Sequence, residues 1–165
     1  MSDHPVAPGF ELPNVGPGSD PCSLSGLARE HDFVVLYFQL DHDCTNCRKQ
    51  VKQVAQRYES FRARDAVVVS VLPEDRERAR EWQERFDLPY PLLADPGSTV
   101  ADEYGQPVRL GFLGDVSDFL GRMPRVVVVD ARSGDPRIVW THSGRSTFDR
   151  PATTDVLDAI DEHRD

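Results

Sequence analysis

Residues Phe33–Lys49 read FVVLYFQLDHDCTNCRK. The first six are apolar, β-branched or aromatic without alternation, the pattern of a strand buried on both faces. From about Cys47 the pattern changes. Val51, Val54, Ala55, Tyr58 and Phe61 recur every three or four residues with polar residues between them, which predicts an amphipathic helix. The cysteine pair Cys44-Thr-Asn-Cys47 thus falls where a buried strand ends and a helix begins. Cys44 is expected just before the helix and Cys47 in its first turn, near unpaired backbone N–H groups and the positive end of the helix dipole. A free cysteine titrates near pH 8.5, and such a position favours its anion, as do the adjacent Arg48 and Lys49. Asp41 and Asp43 oppose this if they point inward. Two intervening residues across such a turn also let the sulfurs approach bonding distance.

Working outward, Ala66–Leu72 (AVVVSVL), Arg125–Asp130 (RVVVVD) and Arg137–Ser143 (RIVWTHS) read as further strands, with a shorter one after Pro89. Helices are expected at Glu74–Phe86, within Asp95–Tyr104 and at Thr153–His163. Ser133-Gly134-Asp135 signals a hairpin between the last two long strands. The order β-α-β-α-(β-α)-β-β-α requires parallel crossovers first and an antiparallel hairpin last. The fold class is therefore α/β, a central mixed sheet with helices on both faces. Residues 1–22, rich in Pro and Gly, read as an extended lead-in to one domain spanning 1–165.

Composition narrows the function. The chain has 165 residues, a net charge of −9 and only two lysines, Lys49 and Lys52. Its mean field repels phosphate, so neither nucleic acid nor an anionic membrane is an expected partner. No apolar run approaches the roughly 20 residues of a membrane span. The N-terminus lacks the basic start and apolar core of a signal peptide, so a cytoplasmic location is expected. Three cysteines do not make a disulfide scaffold. In a reducing compartment a Cys-x-x-Cys is a redox centre or a metal half-site. A metal would need two more ligands from Cys22, His31 and His42, and no second ligand pair is evident. Two inert thiols are the third reading, which the polar surroundings DHDCTNCRK disfavour.

Several residues attract attention without a motif. His42 is either a loop residue or a proton carrier near the thiols, and Cys22 either a stray thiol or a resolving partner for Cys47. Trp82 and Trp140 read as core, and Thr141 and His142 as surface. EDRERAREWQER reads as a solvated helix face, and Gly111–Gly114 as an improbable phosphate loop.

LYFQLDHDCTNC, aligned without gaps, resembles the peroxiredoxin segment LYFYPxxxTxxC. APGFELPNV (7–15), VVSVLPEDRERAREWQERFDLPYPLLADPGSTVADEYG (68–105) and PRVVVVDARSGDPRIVWTHSG (124–144) resemble, in order, other segments of the alkyl hydroperoxide reductase and thiol-specific antioxidant proteins. The resemblance implies a thioredoxin-like fold and a thiol oxidoreductase with no cofactor or metal. Its substrate would be a peroxide or a disulfide, its reductant a thioredoxin-type protein or small thiol, and it admits a homodimer. Cys47 falls on the peroxide-attacking cysteine, Cys44 on the threonine that steadies it and Leu40 on the proline. The register in which peroxiredoxins carry an arginine ahead of the last long strand holds Pro124, where disulfide reductases have a cis-proline. Met123–Pro124 is therefore a candidate cis bond, and Arg122 or Arg125 the candidate cation for Cys47. Two chemistries remain open. Cys47 attacks a peroxide and Cys44 resolves the product, or Cys44 attacks a partner disulfide and Cys47 resolves it.

Overall fold

The strand Phe33–Phe38 has every side chain buried because sheet surrounds it laterally and helices cover both its faces. The computed structural model describes residues 4–106 and 123–164. In chain order these form β1 (Glu11–Leu12), β2 (Cys22–Ser23), α1 (Leu24–Glu30), β3 (Phe33–Phe38), α2 (Thr45–Gln56), α3 (Tyr58–Arg62) and β4 (Ala66–Leu72). There follow α4 (Arg76–Phe86), β5 (Leu92–Ala94), α5 (Thr99–Glu103), β6 (Arg125–Asp130), β7 (Arg137–Ser143) and α6 (Thr153–Arg164). The main sheet has five strands in the order β5-β4-β3-β6-β7. β3 runs parallel to β4 and β4 to β5, while β6 is antiparallel to both β3 and β7. This is the predicted mixed α/β sheet.

Strand alternation divides the core in two. On one face Val35, Tyr37, Val68, Val126 and Val128 meet Cys47, Val51 and Val54 of α2, Trp82 of α4 and Ile160 of α6. On the other, Val34, Leu36, Phe38, Val127 and Val129 meet Leu24 and Leu27 of α1 and Val100 of α5. Crossovers from β3 to β4 and from β4 to β5 step the same way across the sheet, so the right-handed rule puts α2 and α4 on a common face.

The lead-in is not a loose tail. Val6 bridges to Arg137 at one sheet edge and Asn14 to Leu93 at the other. The buried Asn14 carboxamide donates to the carbonyls of Pro17 (2.9 Å) and Ser19 (3.0 Å) and accepts from the amides of Gly16 (2.9 Å) and Leu92 (3.1 Å). The lead-in thus pairs with β5 and with the first residues of β7.

Four long strands begin and end where their apolar runs do, whereas the helices depart from expectation. α1 is an addition, capped by Ser23, whose Oγ accepts from the Gly26 amide (3.1 Å). The helix after the cysteines breaks at Arg57 into α2 and α3. α4 starts at Arg76 because Asp75 caps it, leaving Glu74 ahead of the helix. Trp140 is only partly buried, since β7 is an edge strand. Thr141 is exposed as expected, but His142 is half-buried against Asp149. Among the described residues the cis peptide bond is Asp20–Pro21, so the cis expectation at Met123–Pro124 is not met. Arg122 and Gly111–Gly114 lie outside the described residues.

Candidate active site

Cys44 is the N-cap of α2, and its Sγ accepts from the Cys47 amide at 3.1 Å. A sulfur fills the role that a Ser or Asp oxygen usually plays at this position. Cys44 and Cys47 are joined as a disulfide, with Cα atoms 5.2 Å apart. The two sulfurs differ sharply in environment. Cys47 is fully buried, and its Sγ also accepts from the Leu40 amide (3.4 Å). Cys44 is only partly buried.

The loop that brings the chain from β3 to Cys44 is tightly held. The His42 carbonyl accepts from Arg48 Nε (3.1 Å), Arg48 Nη2 (2.9 Å) and Trp82 Nε1 (3.0 Å). Its ring Nδ1 lies 2.8 Å from Glu74 Oε1. His42 therefore anchors the loop to α4, and its ring is directed to Glu74 rather than to the sulfurs. Of the two readings of His42, this geometry favours the loop residue.

The cation at the site comes from elsewhere in the chain. Arg150, in the segment between β7 and α6, places Nη2 3.3 Å from Cys47 Sγ and 3.5 Å from Cys44 Sγ. Its Nη1 donates to Gln50 Oε1 (2.7 Å) and its Nε to the Thr147 carbonyl (2.7 Å). The planar fork is thus oriented by two acceptors while a third corner faces the sulfurs. Burial pushes its guanidinium down to about 10, so it stays charged at neutral pH. The segment is itself secured. Asn46 Nδ2 reaches Thr147 Oγ1 (3.5 Å), the Gly144 amide donates to the Pro124 carbonyl (2.7 Å), and Asp149 takes the Arg145 amide (2.9 Å) and pairs with His142 (3.1 Å). A Cβ on Gly144 would stand 2.6 Å from the Asp149 carbonyl oxygen and 2.9 Å from Pro124 Cδ, so only glycine permits this approach.

Arg125 does not supply the cation. It precedes Val126 on β6, and alternation turns it to the face opposite Cys47. Its guanidinium hydrogen-bonds Ser143 Oγ and lies beside Gly105, and burial lowers its pKa. Pro124 packs on Gly144, the glycine that precedes the segment carrying Arg150. Sequence reasoning missed Arg150 because the sulfurs it meets are more than 100 positions away (|i−j| of 103 and 106). The local string PheAspArgPro carries no signal for it.

Cys22 belongs to the other core, so it can neither resolve Cys47 nor share a metal with it. It borders a cleft of about 630 Å³ lined also by His31, Arg62, Asp65 and Pro91, away from the disulfide. Burial pushes the Cys22 thiol up to about 11. Folded, reduced protein is therefore expected to leave Cys22 unlabelled by iodoacetamide at pH 7, with this thiol alkylated only after denaturation. Peptide mass mapping checks this, and rapid native labelling of Cys22 would contradict it.

A sheet of this topology, with a bonded cysteine pair at a strand-to-helix junction, defines a thioredoxin-like protein. Solved structures agree: peroxidoxin BcpB from Mycobacterium tuberculosis superposes with a TM-score of 0.78 at 24% identity, covering 100% of this chain and 99% of that one. The reduced Plasmodium vivax 2-Cys peroxiredoxin gives 0.77 at 14% identity, over 95% and 93%. The AhpC/TSA family model matches residues 5–133, and the chain belongs to that family. A chloroplastic peroxiredoxin Q from Suaeda salsa is 30% identical over 110 residues, 66% of this chain and 47% of that protein. Its counterpart from Oryza sativa subsp. japonica is 32% identical over 77 residues, 47% and 36% of the two chains. The chain thus spans about half or less of the curated relatives it matches.

Proposed function

We propose that this chain is a thiol peroxidase that cycles between a Cys44/Cys47 dithiol and the disulfide. The observation that carries this reading is the Arg150 guanidinium within 3.5 Å of both sulfurs, at the fully buried Cys47. A buried thiolate with a fixed cation favours a small oxidant over a protein disulfide. The Cys47 thiolate attacks one peroxide oxygen, the O–O bond breaks, and the alkoxide or hydroxide leaves and is protonated. Arg150 can stabilise negative charge on both sulfur and departing oxygen. Cys44 then attacks the sulfenic sulfur of Cys47, forming the S–S bond and releasing water. A dithiol reductant supplies the two electrons that restore the pair. Thioredoxin-type proteins are the proposed class, since the relatives are peroxiredoxins.

The partial exposure of Cys44, against the full burial of Cys47, supports an order for the reductive half. An incoming thiolate reaches Cys44 and expels Cys47 as the leaving thiolate, already paired with Arg150 and the Leu40 amide. A second reading, protein-disulfide reductase, draws on the same partly exposed Cys44 as first attacker.

Stopped-flow mixing of reduced protein with a small excess of hydrogen peroxide separates the two. Thiol loss at least about 10²-fold faster than for free cysteine, at two thiols per peroxide, is the expected result. A rate matching free cysteine, together with rapid reduction of a protein disulfide, would replace the peroxidase reading by the reductase one.

A further inference from the structure

The partners of Arg150 share one property: all are uncharged. They are the Gln50 carboxamide oxygen, the Thr147 carbonyl and the two sulfurs of a neutral disulfide. Among the described residues no carboxylate pairs with it. The nearest in sequence, Asp149, is turned to His142 and the Arg145 amide. Gln50 is buried, so water does not replace the missing counter-charge on that side. A partly buried cation without an anion costs free energy, and the cost vanishes when a thiolate appears beside it.

We infer that Gln50 is a positioning residue that holds Arg150 by a neutral acceptor, so that its charge is compensated only in the reduced protein. The Cys44–Cys47 disulfide is consequently the less stable and more oxidising of the two redox states. The inference rests on the dithiol–disulfide cycle proposed above and adds the direction of its poise. Gln50 does what a glutamate of the same shape could not. A carboxylate would satisfy the guanidinium in both states and remove the bias toward the thiolate. In the step concerned, a reductant thiolate bonds to Cys44 Sγ, the S–S bond breaks, and its electron pair stays on Cys47 Sγ beside Arg150. The reductant's second thiolate then attacks its own sulfur in the mixed disulfide, and Cys44 leaves and takes up a proton. Two electrons pass from reductant to protein. The same logic, stabilisation of the reduced form, makes some other dithiol proteins strong oxidants.

Two measurements on the full chain test this: equilibration in glutathione redox buffers and thermal unfolding of the oxidised and reduced forms. Wild-type protein should unfold at higher temperature when reduced, the reverse of the usual effect of a cross-link. Arg150→Met should reverse that order and lower the equilibrium constant for reduction at least tenfold, about 30 mV. Gln50→Glu should shift both quantities in the same direction while keeping the guanidinium. It carries the test if Arg150→Met does not fold. A wild-type disulfide form more stable than the dithiol, or a Gln50→Glu constant within twofold of wild type, overturns the inference. Neither readout uses peroxide, so failure of the peroxidase reading registers separately as slow oxidation of a protein whose redox poise is still as inferred.

Discussion

Cys47→Ser is expected to lower the rate of peroxide consumption at least about 10³-fold, toward the uncatalysed background, because it removes the only sulfur that Arg150 and the Leu40 amide both contact. Cys44→Ser should behave differently. Its Cys47 still reacts in the first encounter, but the sulfenic acid has no neighbour with which to condense. One thiol, not two, is then lost per peroxide, a dimedone adduct accumulates on Cys47, and excess peroxide drives it to sulfinic acid. The serine hydroxyl can still accept from the Cys47 amide, so the helix cap survives and the fold with it. Rapid-quench mass spectrometry of both variants provides the check. Fast loss of thiol in Cys47→Ser, or a dimedone adduct on Cys44 in wild-type protein, would invert the assigned roles.

Arg150 gives the second large effect. Arg150→Lys keeps a positive charge but loses the fork that Gln50 and Thr147 orient, and its shorter contact set leaves the ammonium free to turn to water. The second-order rate constant with peroxide is expected to fall about 10²-fold, as it does when one oriented donor is removed from a developing anion. Arg150→Met should fall at least as far, and its pH–rate profile should move to higher pH because the thiolate has lost its cation. Stopped-flow rates measured across pH distinguish the two losses. Lysine retains the profile of the wild type more closely than methionine, at a lower plateau. An Arg150→Met protein as fast as wild type at neutral pH would remove this residue from the chemistry.

The cysteine pair and its place were legible because three independent patterns coincide there: an unbroken apolar run, the change to helical spacing and the polar string DHDCTNCRK. β3, β4 and β6 were equally legible, since β-branched runs buried on both faces leave little room for other assignments, and the partly buried β7 was marked by the hairpin signal at Ser133–Asp135. α1 was not, because LSGLARE is two turns long and buries only Leu24 and Leu27. The break at Arg57 escaped notice because the apolar period runs on across it to Tyr58 and Phe61. The cation was misplaced for a different reason. A register argument pointed to the start of β6, where alternation sends Arg125 to the wrong face. The guanidinium that does stand beside the sulfurs lies in a loop whose position depends on Gly144 against Pro124 and Asn46 against Thr147. Such contacts are tertiary, and no local spacing encodes them. Arg150 also lies beyond the 5–133 stretch that the family model matches.

The placement of Arg150 also bears on when the site comes into being during synthesis. A growing chain has made both cysteines long before residue 150 emerges, and even then the guanidinium arrives only after β7 has added to β6 and the following turn has closed over α2. Until that moment the emerging polypeptide carries two thiols without this cation beside them. In the proposed cycle, reactivity that depends on this guanidinium therefore requires nearly the whole chain to have been made, since residue 150 is followed by only fifteen more.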